Sequence, residues 1–232
     1  MKIEENPHPI SEIKRIIAVD GPAGSGKSSV SKEVAKRLGL KYIDSGAMYR
    51  AITWFLLKKF SILVKGEDYF NNLKDFNIKQ RFNSDGTSST LVNDRDISKE
   101  IRNEIIANNI GIISDEPKIR CFVNGILRDW SRGEKIIMDG RDIGTVVFPD
   151  AEVKIFLNAS VNIRTQRRYQ EYKDEGKVVD ENELKKQIIK RDEQDKSRSF
   201  GCLIKAKDAI NIDTSNMSKE DVVQNIIRII SA

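Results

Sequence analysis

The run Gly21-Pro22-Ala23-Gly24-Ser25-Gly26-Lys27-Ser28-Ser29 carries the spacing Gly-x-x-x-x-Gly-Lys-Ser and follows directly on the apolar stretch Ile16-Ile17-Ala18-Val19-Asp20. Three glycines admit backbone conformations closed to other residues, so successive N–H groups can turn inward around an anion. Lys27 adds a positive charge aimed at β- and γ-phosphates, the Ser28 hydroxyl can sit on Mg²⁺, and the helix that follows presents its positive dipole end. A glycine-rich turn alone can arise by chance. A strand before it and a helix after it make the whole stretch from Gly21 to Ser29 a candidate site for ATP.

Further along, Asp139 ends an apolar run, where a carboxylate can hold the Mg²⁺ shell with Ser28, although any strand can be followed by a loop Asp. Arg141 and Asp142 come next, at the carboxyl end of a strand where open α/β sheets bind ligands. They read as a guanidinium for phosphate and an acceptor for a ligand donor, or as a surface pair worth under about 1 kcal/mol. Arg164, Arg167 and Arg168 share one face of a predicted helix next to Lys173-Asp174-Glu175-Gly176-Lys177. Either a closing lid uses them on a moving phosphoryl group, or they are a solvated basic face. Arg191, Asp195 and Arg198 recur at i, i+4 and i+7, and spacing does not separate a ligand-facing stripe from exposed ion pairs.

The only histidine is His8, in the tail before the first strand, so the chemistry has to manage without imidazole. A phosphate acceptor meets that constraint, because the second pKa of a phosphomonoester is about 6 and its oxygens are already anionic nucleophiles at neutral pH. Placement, charge neutralisation and exclusion of water are then what remain for the protein. Cys121 and Cys202 offer neither a disulfide framework nor metal spacing, and read as small packing residues of a cytoplasmic protein. No long apolar run suggests a membrane span, and the start of the chain lacks the apolar core of a signal peptide. The charge of +5 arises from 40 basic residues interleaved with 35 acidic ones, which argues against nucleic acid as a partner.

These groups need a scaffold of alternating strands and helices. Val30, Val34 and Leu38 mark a helix over 27–38 stopped by Gly39, Lys41–Asp44 reads as a strand, and Ser45-Gly46 opens a second helix. Strand character returns at Lys135–Asp139, Val153–Leu157 and Ala209–Asp213, and an amphipathic helix with Ser218 as N-cap closes the chain. The expected fold is α/β, a five-stranded parallel sheet flanked by helices. Between these parts, 76–82 and 89–93 read as a hairpin around 83–87, and helices are predicted over 98–113 and 118–132, the second opened by Pro117.

With these residues assembled, the chain resembles the bacterial cytidylate kinases over nearly its whole length. The resemblance is carried by Asp20 to Ser28, Asp44-Ser-Gly-Ala-Met-Tyr-Arg50, Asp139 to Ala151 and Arg191-Asp-x-x-Asp-x-x-Arg198. It implies a P-loop kinase, acting as a monomer, that uses ATP and Mg²⁺ to phosphorylate CMP and dCMP. The kinase domain would span 14–232 after a tail of 1–13, its core 14–60 and 118–232 interrupted by a monophosphate-binding lobe at 61–117 and closed by a lid at 164–182. Ser45, Arg50 and Arg141 would bind the CMP phosphate, Arg120 and Asp142 the cytosine, Arg191 and Asp195 the ribose. Lys27, Arg141, Arg164, Arg168 and Arg198 would act on the transferred phosphoryl group. Where the family usually has a base-contacting Ser before Arg120 this chain has Gly111, so either water or Ser114 substitutes or base discrimination is weaker than usual. Rival readings are a P-loop kinase for UMP or a hydroxy acid, and a nucleotide switch ATPase, although no Gln or Thr stands out to position water for the latter.

Overall fold

β1 (Ile16–Asp20) lies in the middle of a parallel sheet, and its residues Ile17, Ala18 and Val19 are wholly buried. The computed structural model describes residues 15–82 and 88–232, so the tail with His8 and the turn at 83–87 lie outside the described residues. Five strands run in the order β2 (Lys41–Asp44), β6 (Ile136–Gly140), β1, β7 (Val153–Asn158) and β8 (Ile210–Asp213). Every pairing is parallel, as strands separated by helices require. Such strands must bury both faces, and alternate residues of β1 do so against different layers. Ile17 and Val19 pack with Val30 and Val34 of α1 (Lys27–Leu38) and with Val223 and Ile226 of α7 (Lys219–Ser231). Ala18 faces the other layer, with Met48 and Ile52 of α2 (Ser45–Phe60), Ile113 of α3 (Glu104–Ser114) and Val123 of α4 (Pro117–Ser131).

Local signals set the helix ends as expected. Gly39 stops α1 in the left-handed region at φ 64°, and Ser218 and Asp221 form a reciprocal capping box on α7. Asp44 caps α2 by accepting the Ala47 N–H at 3.0 Å. Between α2 and β6 the chain builds a second, antiparallel sheet from β3 (Ile78–Phe82), β4 (Ser88–Val92) and the short β5 (Arg95–Asp96).

Two expectations need correction. The helix expected over 98–113 is broken: a tight turn at Glu100–Arg102 ends at Asn103, whose extended backbone and side chain cap a new helix, α3. Just beyond Arg141 and Asp142, Ile143–Val147 winds as a wide single turn with the Phe148 N–H reaching the Ile143 carbonyl. Cys121 does not pack but is exposed on α4, since it lies off the face that buries Ile119, Val123 and Leu127.

Gly21 leaves β1 at φ 150°, and a Cβ placed there would collide with the Leu157 carbonyl oxygen of β7. Gly21→Ala is therefore expected to lower stability by about 2–4 kcal/mol, through backbone strain and a clash with no flexible partner to yield. Urea denaturation monitored by far-UV circular dichroism measures it.

Candidate active site

In the β1–β6 pairing Val19 faces Asp139 and Asp20 faces Gly140, so the glycine loop after β1 and the arginine loop after β6 leave the sheet side by side. Gly24 and Gly26 sit at φ 76° and 90°, which turns the loop around its own interior. Gly26 brings no capping side chain to α1, and the N–H groups of the first turn are left for an anion. Lys27 is buried, with Nζ donating to the Pro22 carbonyl at 2.6 Å and lying 3.4 Å from Ser25 Oγ. Burial first, and then the nearby Arg141 charge, push its ammonium down to about 7, against the pull of Asp139, Asp20 and Asp195. An arriving polyphosphate would reverse that shift.

Ser28 Oγ donates to Asp139 Oδ2 at 2.8 Å, and Tyr42, at the edge strand β2, donates to Oδ1 at 2.6 Å. Burial, reinforced by Asp44, raises the Asp139 pKa. A cation beside Asp139 would relieve both effects. A hydroxyl and one carboxylate are hard oxygen donors suited to Mg²⁺, which completes its shell with water and phosphate oxygens. No group of three His, Cys, Asp or Glu gathers to hold a metal by itself among the described residues. Ser29 Oγ turns back to the Gly26 carbonyl at 2.9 Å and braces the loop.

On the arginine side a single carboxylate organises three guanidiniums. Asp195 on α6 (Glu181–Ser197) is fully buried; Arg141 Nε donates to it at 2.7 Å, Arg198 Nη2 lies at 2.6 Å and Arg191 Nε at 3.2 Å. Burial works to raise its pKa, but Arg141, Arg191 and Arg198 outweigh burial and hold it at about 2. The stripe Arg191-Asp195-Arg198 is thus no exposed ion-pair face. Arg198 also donates to Asp115 at 2.6 Å and to Ser114 Oγ at 3.0 Å.

Arg120 and Asp142 form a buried pair at 2.6 Å, with Arg120 also bound to the Ser114 carbonyl and stacked 5.2 Å from the Tyr49 ring centroid. Arg120 Nε is buried without a hydrogen-bond partner among the described residues. Beside Gly111 the space a Cβ would take is filled by Gln194, whose amide nitrogen would lie 2.5 Å from it and which donates to Asp115. Ser114 Oγ already accepts from Arg198, so the neighbourhood of Gly111 is closed by Gln194 rather than by a free hydroxyl. Ser45 Oγ donates to the Asp139 carbonyl at 2.7 Å, and Arg50 Nη1 to the Ile101 carbonyl at 3.3 Å.

The three arginines of α5 (Val161–Asp174) do not converge on one point. Arg164 is buried behind the glycine loop, donating to the Ala23 and Ala159 carbonyls and to Asp192 at 2.7 Å. It braces the loop from beneath instead of hanging over it as a mobile lid residue, because a buried guanidinium needs these acceptors. Arg167 is bound to Thr214. Arg168, part-exposed like Arg167, pairs with Glu171 and stacks on Tyr172.

Asp20 went unmarked in the sequence beyond its place at the strand end. Both its oxygens accept backbone N–H groups at 2.8 Å, from Ile143 and Gly144, and so tie the arginine loop to the base of the glycine loop. Burial raises its pKa to about 6 against those two hydrogen bonds. Tyr42 was also missed; nothing in a strand tyrosine marks a bond to a carboxylate 97 residues away.

Comparison with known proteins bears on this site. The family model described as cytidylate kinase matches residues 17–232. The cytidylate kinase of Acholeplasma laidlawii (strain PG-8A) is 41% identical over 216 residues, 93% of this chain and 95% of that one. That of Clostridium tetani (strain Massachusetts / E88) is 42% identical over 217 residues, 94% of each. Among solved structures, an uncharacterized protein from Eubacterium ventriosum ATCC 27560 superposes with a TM-score of 0.50 at 16% identity, covering 94% of this chain and 98% of that one, a likeness of fold alone. The sequence match runs through the glycine loop, the arginine loop and α6 alike, and on that extent this chain belongs to the cytidylate kinase family.

Proposed function

We propose that this protein transfers the γ-phosphoryl group of ATP to CMP and dCMP, giving CDP and dCDP by direct in-line attack. The observation that carries the reading is the adjacency of two anion sites at the ends of β1 and β6. One is the glycine loop with Lys27, and the other is the arginine cluster around Asp195. Family membership supplies the identity of the acceptor.

In this reading the kinase domain runs over 14–232, residues 61–117 form the acceptor lobe and 164–182 the lid. The loop from Gly21 to Ser29 holds the triphosphate through backbone N–H groups and Lys27. Ser28 and Asp139 would hold Mg²⁺, which neutralises phosphate charge when bound. Ser45, Arg50 and Arg141 take the acceptor phosphate, whose oxygen is anionic at neutral pH and attacks without a general base. Arg191 and Asp195 lie toward the ribose. Arg198 and Arg168 add positive charge, Arg168 as the lid arginine with an exposed approach, while Arg164 acts by bracing the loop. Arg120 and Asp142 read the base: cytosine offers accepting ring nitrogen and carbonyl groups beside a donating amine, whereas uracil would set a carbonyl against the carboxylate. No helix among the described residues is long and apolar enough to cross a membrane.

A coupled assay with ATP and CMP, dCMP, UMP, AMP or GMP should show CMP and dCMP as the best acceptors by a wide margin; equal use of UMP would sink the reading. Lys27→Ala is expected to lower kcat by about 100- to 1,000-fold, since its charge acts where negative charge develops. Asp142→Ala should raise KM for CMP and narrow the CMP-to-UMP preference by about 10- to 100-fold, read from kcat/KM for the two acceptors. Because Lys27 is pushed down to about 7 in the free protein and anionic phosphates favour its charged form, ATP binding near pH 8 should take up protons. Calorimetry in buffers of different ionisation enthalpy measures that uptake, and Lys27→Met should reduce it.

A further inference from the structure

Arg102 ends the tight turn Glu100–Arg102, within the segment that joins the small sheet to α3. Its Nη2 donates to Asp44 Oδ2 at 2.8 Å, while the other Asp44 oxygen caps α2. Asp44 therefore holds Arg102 against the first turn of the helix that presents Ser45 and Arg50. From the opposite direction, Arg50 Nη1 donates to the carbonyl of Ile101, the residue just before Arg102. The two arginines are thus fastened side by side by bonds that cross between α2 and the turn.

The charge balance around them is uneven. Among the described residues no carboxylate stands at ion-pair distance from Arg50, which is met only by that long 3.3 Å bond to a carbonyl. Burial lowers the pKa of Arg50, and of the charges around it Asp44 is favourable while Arg102, Arg168 and Arg141 all repel. Arg50 and Arg102 thus stand side by side, and the positive charges of Arg141 and Arg168 are felt at Arg50 as well. The carboxylates nearby are already engaged, Asp44 with Arg102 and the cap of α2, Asp195 with Arg141, Arg191 and Arg198. An anion is the missing element.

Arg102 is equipped to meet that anion without leaving its partner. About half of its side chain is exposed, at 52%, and only Nη2 is bonded, so Nε and Nη1 have no hydrogen-bond partner among the described residues. A guanidinium is a rigid fork, and one nitrogen on a carboxylate leaves the others aimed along a fixed direction.

We propose that Arg102 is a further ligand of the acceptor's phosphate, oriented by Asp44 and supplied from the segment that carries the small sheet, so that the phosphate joins this segment to α2 and the arginine loop. The proposal rests on the reading that the acceptor is a nucleoside monophosphate. Lysine at this position would keep the charge but lose the fork. The competing role is a strut that merely fastens the turn to α2.

Titration calorimetry of Arg102→Gln with CMP should show binding about 10- to 100-fold weaker than in the unaltered protein, the loss of a charge-assisted contact. Cytidine, which lacks the phosphate, should bind both proteins alike, and Arg102→Lys should recover part of the CMP affinity. Thermal melts with inorganic phosphate give a second arm that reads Arg102 whatever base the acceptor carries: phosphate should raise the melting temperature of the unaltered protein more than that of Arg102→Gln. Equal weakening toward CMP and cytidine would mark a strut and overturn the proposal. Unchanged CMP affinity, or equal or absent protection by phosphate in the two proteins, would overturn it as well.

Discussion

The parallel register that sets Asp20 opposite Gly140 is the constraint on which the catalytic end depends. It brings two loops from distant parts of the chain within one strand spacing, and the buried Asp20 carboxylate then fastens them by accepting the Ile143 and Gly144 N–H groups. A carboxylate that spends both oxygens on backbone donors has no freedom to move, and neither has the backbone that carries Arg141 and Asp142. The glycine loop and the arginine loop are thereby joined into one rigid element. In-line transfer tolerates little misplacement, so rigidity of this kind is worth more to the chemistry than any single additional contact.

The second organising feature is an excess of positive charge that the fold does not neutralise. Asp195 answers Arg141 and Arg191 and shares Arg198 with Asp115, and Arg50 has no carboxylate of its own among the described residues. Such an arrangement costs stability, and in the proposed reading an acceptor phosphate would relieve it. The depressed Lys27 has the same origin, a cation held in a buried place whose natural partner is the ligand. Strain of this sort at a binding site is stored against the rest of the fold, where the apolar layers on the two faces of the sheet supply the stability.

Not every basic residue near the site belongs to the chemistry. Arg164 looks in sequence like its neighbours Arg167 and Arg168, yet it is sealed beneath the glycine loop with carbonyls of Ala23 and Ala159 and the Asp192 carboxylate. A Cβ on Gly24 would lie 3.2 Å from the Arg164 Cβ, which shows how closely the loop rests on this helix. The helix thus has a fixed inner face that shapes the loop and an outer, part-exposed face where Arg168 pairs with Glu171 and stacks on Tyr172.

The sequence by itself determined the glycine loop and its strand-to-helix setting, because that stretch is contiguous and its conformation follows from local spacing and backbone freedom. It also determined the α/β class and most strand and helix limits, since apolar periodicity and caps are local signals. The tertiary structure alone decided which charges face one another. Spacing left the stripe Arg191-Asp195-Arg198 open between surface and site, and only packing buried Asp195 under arginines from the β6 loop and α6. Asp20, Tyr42, Asp44 and Arg102 gain their roles from partners 58 to 124 residues away in sequence, such as Gly144 for Asp20 and Arg102 for Asp44. A helical period reports which residues share a face but not what stands across from that face, and electrostatics is settled by the distance between chains rather than along one.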